Sequence, residues 1–194
     1  AKASSLEHRG PDDSGIWLDS KKQVAFGHRR LSIVDISSSG HQPMTSTSKR
    51  YVMTYNGEIY NHIQIRNELN NLNPNLNWKG HSDSETLLAA IEVWGLDKTL
   101  ERIAGMFAIA LWDNQTTTLQ ISDDGPGFPD DIYKIIGEPY ISTKSKKLKS
   151  KAGLGLGTFI GKTLLERKKA NIEFLKSNNG GALVEISWNN KDFL

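Results

Sequence analysis

The sequence predicts a mixed α/β chain built in two parts, and three observations carry that prediction. Strand-type and helix-type apolar spacings alternate through residues 1–119. Beyond residue 120 the texture changes, with Lys144, Lys146, Lys147, Lys149 and Lys151 crowded into a stretch that holds few apolar residues. Two ordered sets of motifs fall on either side of that change: HRGPDDSG, HRRLSIVD, YNGEIYN and SDSE before it, ISDDGPGFP, GEPYISTK and GLGLGTF after it.

The elements follow in order. Gly15–Leu18 and Gln23–Ile33 read as strands, with Asp19–Lys22 as the turn between them. Tyr51–Tyr55 is a short strand that ends at Asn56-Gly57, the commonest tight-turn dipeptide. Asn61–Leu72 is a helix, since Ile65, Leu69 and Leu72 recur at helical spacing, and Asn73–Asn77 with Pro74 breaks it. Ser82-Asp83-Ser84-Glu85 is a capping box, with Ser82 as N-cap and Glu85 reaching back to it. The helix that it opens runs through Leu87, Leu88, Ile91 and Trp94 and stops at Gly95; Leu96–Ile103 continues in helical spacing. Met106–Trp112 and Thr117–Ser122 form a hairpin around Asp113-Asn114-Gln115. Phe159–Lys169 is a helix, and Asn171–Leu175 pairs with Ala182–Trp188 around Asn178-Asn179-Gly180-Gly181.

Composition narrows the function classes. With 37% hydrophobic and 24% charged residues, the 194-residue chain reads as globular rather than disordered. A net charge of +2 is too small to argue for a nucleic-acid partner. Zero cysteine removes disulfides, cysteine–zinc sites and a thiol nucleophile. The five histidines, His8, His28, His41, His62 and His81, show no metal-ligand spacing and read as structural or exposed. No apolar run reaches membrane-spanning length, so a cytoplasmic location is expected. The chain opens at Ala1 in a polar stretch, which reads as a fragment or a partial reading frame.

The first motif set resembles the glutaminase domain of asparagine synthetases, the class II glutamine amidotransferases, over about residues 7–119. Taken singly, Arg29-Arg30 reads as an exposed basic pair, Asn56-Gly57 as a turn and Ser82–Glu85 as a cap; order and spacing together favour the family. The resemblance implies an N-terminal cysteine whose own α-amino group acts as base, with glutamine as the substrate. By position it makes Arg30 the partner of the glutamine α-carboxylate, a task that suits a guanidinium because it offers two parallel N–H donors. It makes Asn56 and the Gly57 backbone N–H the donors that stabilise charge on the amide oxygen. Glu58 and Asp83 become the acids that hold the α-ammonium group. The nucleophile has no counterpart within the chain. Ser4 and Ser5 lack the adjacent free amine.

The second motif set resembles the ATP-binding domain of sensor histidine kinases over about residues 120–188. That likeness implies an adenine-recognising Asp123, close nucleotide approach at Gly125 and Gly127, and a second glycine box at Gly153, Gly155 and Gly157 opening a helix towards phosphate. Lys144–Lys151 falls where the family has its mobile lid. The family's Mg²⁺-binding Asn has no counterpart, so an ATP/Mg²⁺ site is possible but incomplete. Gly153–Gly157 is neither a dinucleotide fingerprint nor a P-loop.

The expected architecture is therefore a truncated N-terminal-nucleophile-type αββα glutaminase sandwich (1–119) followed by a truncated histidine-kinase-type α/β sandwich (120–194). The chain reads first as a fusion of two incomplete enzyme domains joined inside the strand Thr117–Ser122. Two alternatives stay open: a piece of a glutamine-hydrolysing amidotransferase whose cysteine lies upstream, and a weak ATP- or ADP-binding module. On the fusion reading the halves have separate cores, and the join is weakly protected and aggregation-prone.

Overall fold

The computed structural model describes residues 3–22, 24–32, 35–139 and 156–193. Strands Asp13–Asp19 (β1) and Val24–Arg30 (β2) form an antiparallel hairpin with Trp17 opposite Phe26. Strands Met44–Thr45 (β3), Tyr51–Ile59 (β4), Gly105–Asp113 (β5), Thr118–Asp123 (β6), Asn171–Lys176 (β7) and Ala182–Ser187 (β8) form one antiparallel sheet in the order β3-β4-β5-β6-β8-β7. Helices His62–Leu72 (α1), Asp83–Trp94 (α2) and Leu96–Leu100 (α3) lie between β4 and β5 in sequence, and Leu156–Glu166 (α4) precedes β7.

Alternation along the strands sorts the core onto two faces of the sheet. Met53, Tyr55, Phe107, Ile109 and Leu111 bury one face against Leu87, Leu88 and Ile91 of α2 and Leu96 and Leu100 of α3. Val52 and Trp112, paired across β4 and β5, turn the other way and meet Phe26 and Trp17 of the hairpin. Behind α2, Ile65 and Leu69 of α1 pack on Ala90. The layers are thus hairpin, six-stranded sheet, and helices.

Two cores divided at residue 120 are not what the structure holds. β6 pairs with β5 on one edge, Leu119 opposite Trp112, and with β8 on the other, Leu119 opposite Ile186. A strand has two hydrogen-bonding edges, so both patterns read along Thr117–Ser122 are satisfied at once, one per edge. Leu183 of β8 is buried with Met53 and Ile109, and Trp188 packs on Trp112 at 6.0 Å between ring centroids. With both edges bonded, β6 is an interior strand and its amides are paired rather than open, contrary to the weak protection expected at a join.

Smaller corrections have local causes. β4 does not stop at Asn56-Gly57 but runs on to Ile59 in unbroken register with β5. The Ser82 hydroxyl caps α2 as expected, accepting from the Glu85 N–H at 3.1 Å. Glu85 does not reach back to Ser82. Its carboxylate takes the N–H groups of Lys79 and Gly80 at 2.6 and 3.0 Å and pairs with Arg66 at 3.3 Å. β2 ends at Arg30 rather than near Ile33, which lies outside the described residues. Among the described helices none is long and apolar enough to cross a membrane.

Candidate functional site

A cavity of about 310 Å³ opens where the end of β2, the far half of β4 and the start of α2 meet. Arg30, Asn56, Gly57, Glu58 and Asp83, which come from three separate motifs, all line it, together with His28, Gln42, Tyr55 and Met106 among others.

Each is placed by a different device. Arg30 is the last residue of β2 and only 8% exposed. Its guanidinium donates to the backbone oxygens of Ser37, at 2.8 Å, and of Asp35. A Cβ on Gly40 would lie 2.0 Å from Nη2, so that glycine is what allows the loop to close over the cation. Two of five N–H donors are engaged this way. The loop is pinned in turn by Asp35, which accepts from the Ser37 N–H at 2.8 Å and from the His81 N–H at 3.0 Å just ahead of α2.

Hydrogen bonding from Ser37, with the His81 N–H, brings the Asp35 carboxyl down to about 2. A depressed carboxylate stabilises the fold fully above its ordinary value, near 3.8, and loses that contribution as pH falls towards 2. An NMR titration is therefore expected to place the Asp35 midpoint near 2, with the loop amides of residues 35–40 moving in step. A midpoint near 4 would show that the loop does not hold this carboxylate.

Asn56, Gly57 and Glu58 are exposed residues in the extension of β4. Gly57 has φ +152° and sits opposite Phe107, where an added Cβ would meet the Met106 carbonyl oxygen at 2.1 Å. The dipeptide that reads locally as a turn thus serves as a close approach between two strands.

Asp83, the first residue of α2, is 7% exposed and well anchored. Oδ2 accepts from the Tyr55 hydroxyl at 2.7 Å and the Ile59 N–H at 3.0 Å, and Oδ1 accepts from the Ser84 N–H at 2.8 Å. Burial, reinforced by this carboxylate, pushes the Tyr55 hydroxyl well above its usual range, so it stays protonated and donates. Burial also lowers His28, with Arg30 adding to the effect, and its Nδ1 lies 2.8 Å from the Thr54 hydroxyl. The five motif residues thus bring one cation, two acids and amide donors to the cavity, whose wall also includes Arg9, Arg29 and Asp35. That is a set suited to a small zwitterion carrying a carboxamide. Tyr55 and Gln42 were not singled out by sequence, although Tyr55 opens the YNGEIYN motif; nothing in a linear pattern marks which tyrosine faces a carboxylate.

The residues assigned to a nucleotide are arranged differently. Asp123 Oδ1 accepts from the Gly125 N–H at 2.8 Å and the Ala182 N–H at 3.4 Å, tying the end of β6 to the start of β8. Gly127, at φ +69°, passes the carbonyl oxygens of Gly180 and Gly181. Gly157 lies in α4, with nothing among the described residues within 4 Å of an added Cβ. Gly153, Gly155 and the Lys144–Lys151 stretch lie outside the described residues.

Comparison with known proteins gives one family. The model of the glutamine amidotransferase domain matches residues 1–148, running past the end of β6. The chain is 37% identical to asparagine synthetase [glutamine-hydrolyzing] 3 of Bacillus subtilis, over 71% of this chain and 22% of that one. It is 36% identical to asparagine synthetase B [glutamine-hydrolyzing] of Escherichia coli, over 74% of this chain and 25% of that one. The chain spans about a fifth to a quarter of the length of the curated relatives it matches. Among solved structures, the glutamine phosphoribosylpyrophosphate amidotransferase of B. subtilis, complexed with ADP and GMP, shares the fold with a TM-score of 0.51 at 16% identity, covering 94% of this chain and 37% of that one. At that coverage the fold likeness extends past residue 120.

Proposed function

The chain belongs to the glutamine amidotransferase domain family, and from that premise we propose that it is the glutamine-recognising part of an amidotransferase of the asparagine synthetase kind. One observation carries the reading: Arg30, Asn56, Gly57, Glu58 and Asp83 line a single cavity. Its volume is at the lower end of the range for small-ligand sites. Arg30 receives the α-carboxylate through donors not engaged by its loop. Glu58 and Asp83 take the α-ammonium group, and Asn56 with the Gly57 N–H faces the side-chain amide oxygen. Hydrolysis needs a nucleophile besides, and the 194 residues contain no cysteine, so glutamine bound by them stays intact.

The kinase-like reading of residues 120–188 rests on its motifs alone. The Asp123 oxygen that accepts from Gly125 and Ala182 is committed to the sheet, and the fold likeness to an amidotransferase covers 94% of the chain.

Calorimetric titration with glutamine tests the proposal. Binding is expected, about tenfold weaker in Glu58→Gln, a change at an exposed side chain that removes one charged partner. Ammonia release is expected to be undetectable, since losing a nucleophile costs on the order of 10⁶ in rate in a studied hydrolase. Failure to bind glutamine would overturn the recognition role. Ammonia release abolished by Arg30→Ala would reveal a different nucleophile.

A further inference from the structure

We infer that Tyr55 is a positioning residue of the amino-acid site, holding the Asp83 carboxylate in the one orientation that presents an acceptor to the ligand's α-ammonium group; this rests on the glutamine reading above. Tyr55 is 4% exposed and Asp83 7% exposed, so their 2.7 Å hydrogen bond is buried rather than a surface contact. A carboxylate has about four acceptor positions. On Asp83 the Tyr55 hydroxyl and the Ile59 N–H occupy Oδ2, and the Ser84 N–H occupies Oδ1. One position remains, on Oδ1, and three fixed donors leave the group no freedom to turn it elsewhere.

The donors come from different elements, β4 for Tyr55 and Ile59 and α2 for Ser84. Tyr55 alone among them acts through a side chain, which makes it the one contact that substitution can remove without touching the backbone. Tyr55 is itself held, because its N–H donates to the buried Gln42 side-chain oxygen at 2.7 Å. Its ring sits in the core with Met53, Leu87 and Ile109. The hydroxyl is thereby fixed by packing as well as by its bond. Without it, a buried carboxylate loses a charge-assisted hydrogen bond, and its orientation loosens.

The test compares two ligands on the full chain: glutamine and its deamino analogue 4-carbamoylbutanoate, which keeps carboxylate and carboxamide but has no ammonium group. Tyr55→Phe is expected to weaken glutamine about tenfold and to leave the analogue unchanged. A general disturbance of the fold would weaken both alike, and that result would overturn the inference while leaving the glutamine reading intact. Should the variant not fold, the unaltered chain carries the test. Glutamine is expected to move the ¹³Cζ resonance of Tyr55 more than the analogue does at equal occupancy. Equal shifts would overturn the inference. Binding of neither ligand by the unaltered chain would overturn the glutamine reading, and this inference with it.

Discussion

Replacing Trp112 with alanine is expected to remove about 3–5 kcal/mol of stability, the usual cost of emptying a large aromatic site in a core. Trp112 is fully buried. It touches the hairpin through Phe26, pairs in register with Val52 of β4 and Leu119 of β6, and meets the Trp188 ring edge-on. Its indole N–H donates to the Asn114 side-chain oxygen at 2.9 Å, an acceptor that alanine deprives of this donor. Domains are stable by only about 5–15 kcal/mol, so the loss takes a large share of the total. At about 2–4 °C per kcal/mol for a domain of this size, the melting temperature should drop by on the order of 10 °C. Because the residue ties the hairpin to β6 and to the residues after β8, melting should remain a single transition in which residues on both sides of position 120 unfold together. Two separate transitions, with the C-terminal one unmoved by the substitution, would restore the picture of two independent cores.

Much of the fold was legible because most of its rules are local. The Ser82 cap, the stop at Gly95, the helix spacing of Ile65 and Leu69 and the turn at Asp113-Asn114-Gln115 each depend on a few adjacent residues. Pairing is not local. Alternation in Thr117–Ser122 marks a strand, yet it does not say which partner takes which edge, so a shared sheet was read as a join. The same limit applied to Asn56-Gly57: the dipeptide favours a turn in isolation, but the register of β4 with Gly105–Ile109 carries the strand through it. For the site, the order of HRRLSIVD, YNGEIYN and SDSE pointed to residues that the fold gathers in one cavity. What that order could not contain was the support beneath them: Asp35 and Gly40 around Arg30, and Tyr55 beneath Asp83. These contacts follow from how loop and core fold together, and residue type alone does not distinguish them from ordinary loop or core positions.

Gly57→Ala should be among the most damaging single substitutions in the chain, although it adds only one methyl group. That carbon would stand 2.1 Å from the Met106 oxygen, 2.6 Å from Phe107 Cα and 2.9 Å from Phe107 Cβ. Two of those three atoms belong to the backbone of the paired strand and have no rotamer to escape into. The φ of +152° adds strain for any side chain, worth about 1–3 kcal/mol, and overpacking costs about 1–3 kcal/mol more. The expected loss is roughly 3–5 kcal/mol. If the chain survives it, β4 should move away from β5 at this point and displace Asn56 and Glu58 on either side, so glutamine binding should fall with stability. Gly161→Ala provides the comparison. It sits within α4 with nothing among the described residues within 4 Å of an added Cβ, and alanine there should stabilise by about 0.5–1 kcal/mol through helix propensity. Denaturant titration of both variants should give shifts of opposite sign. If Gly57→Ala were as benign as Gly161→Ala, the close approach of β4 to β5 would not be what requires glycine, and the placement of Asn56 and Glu58 would need another explanation.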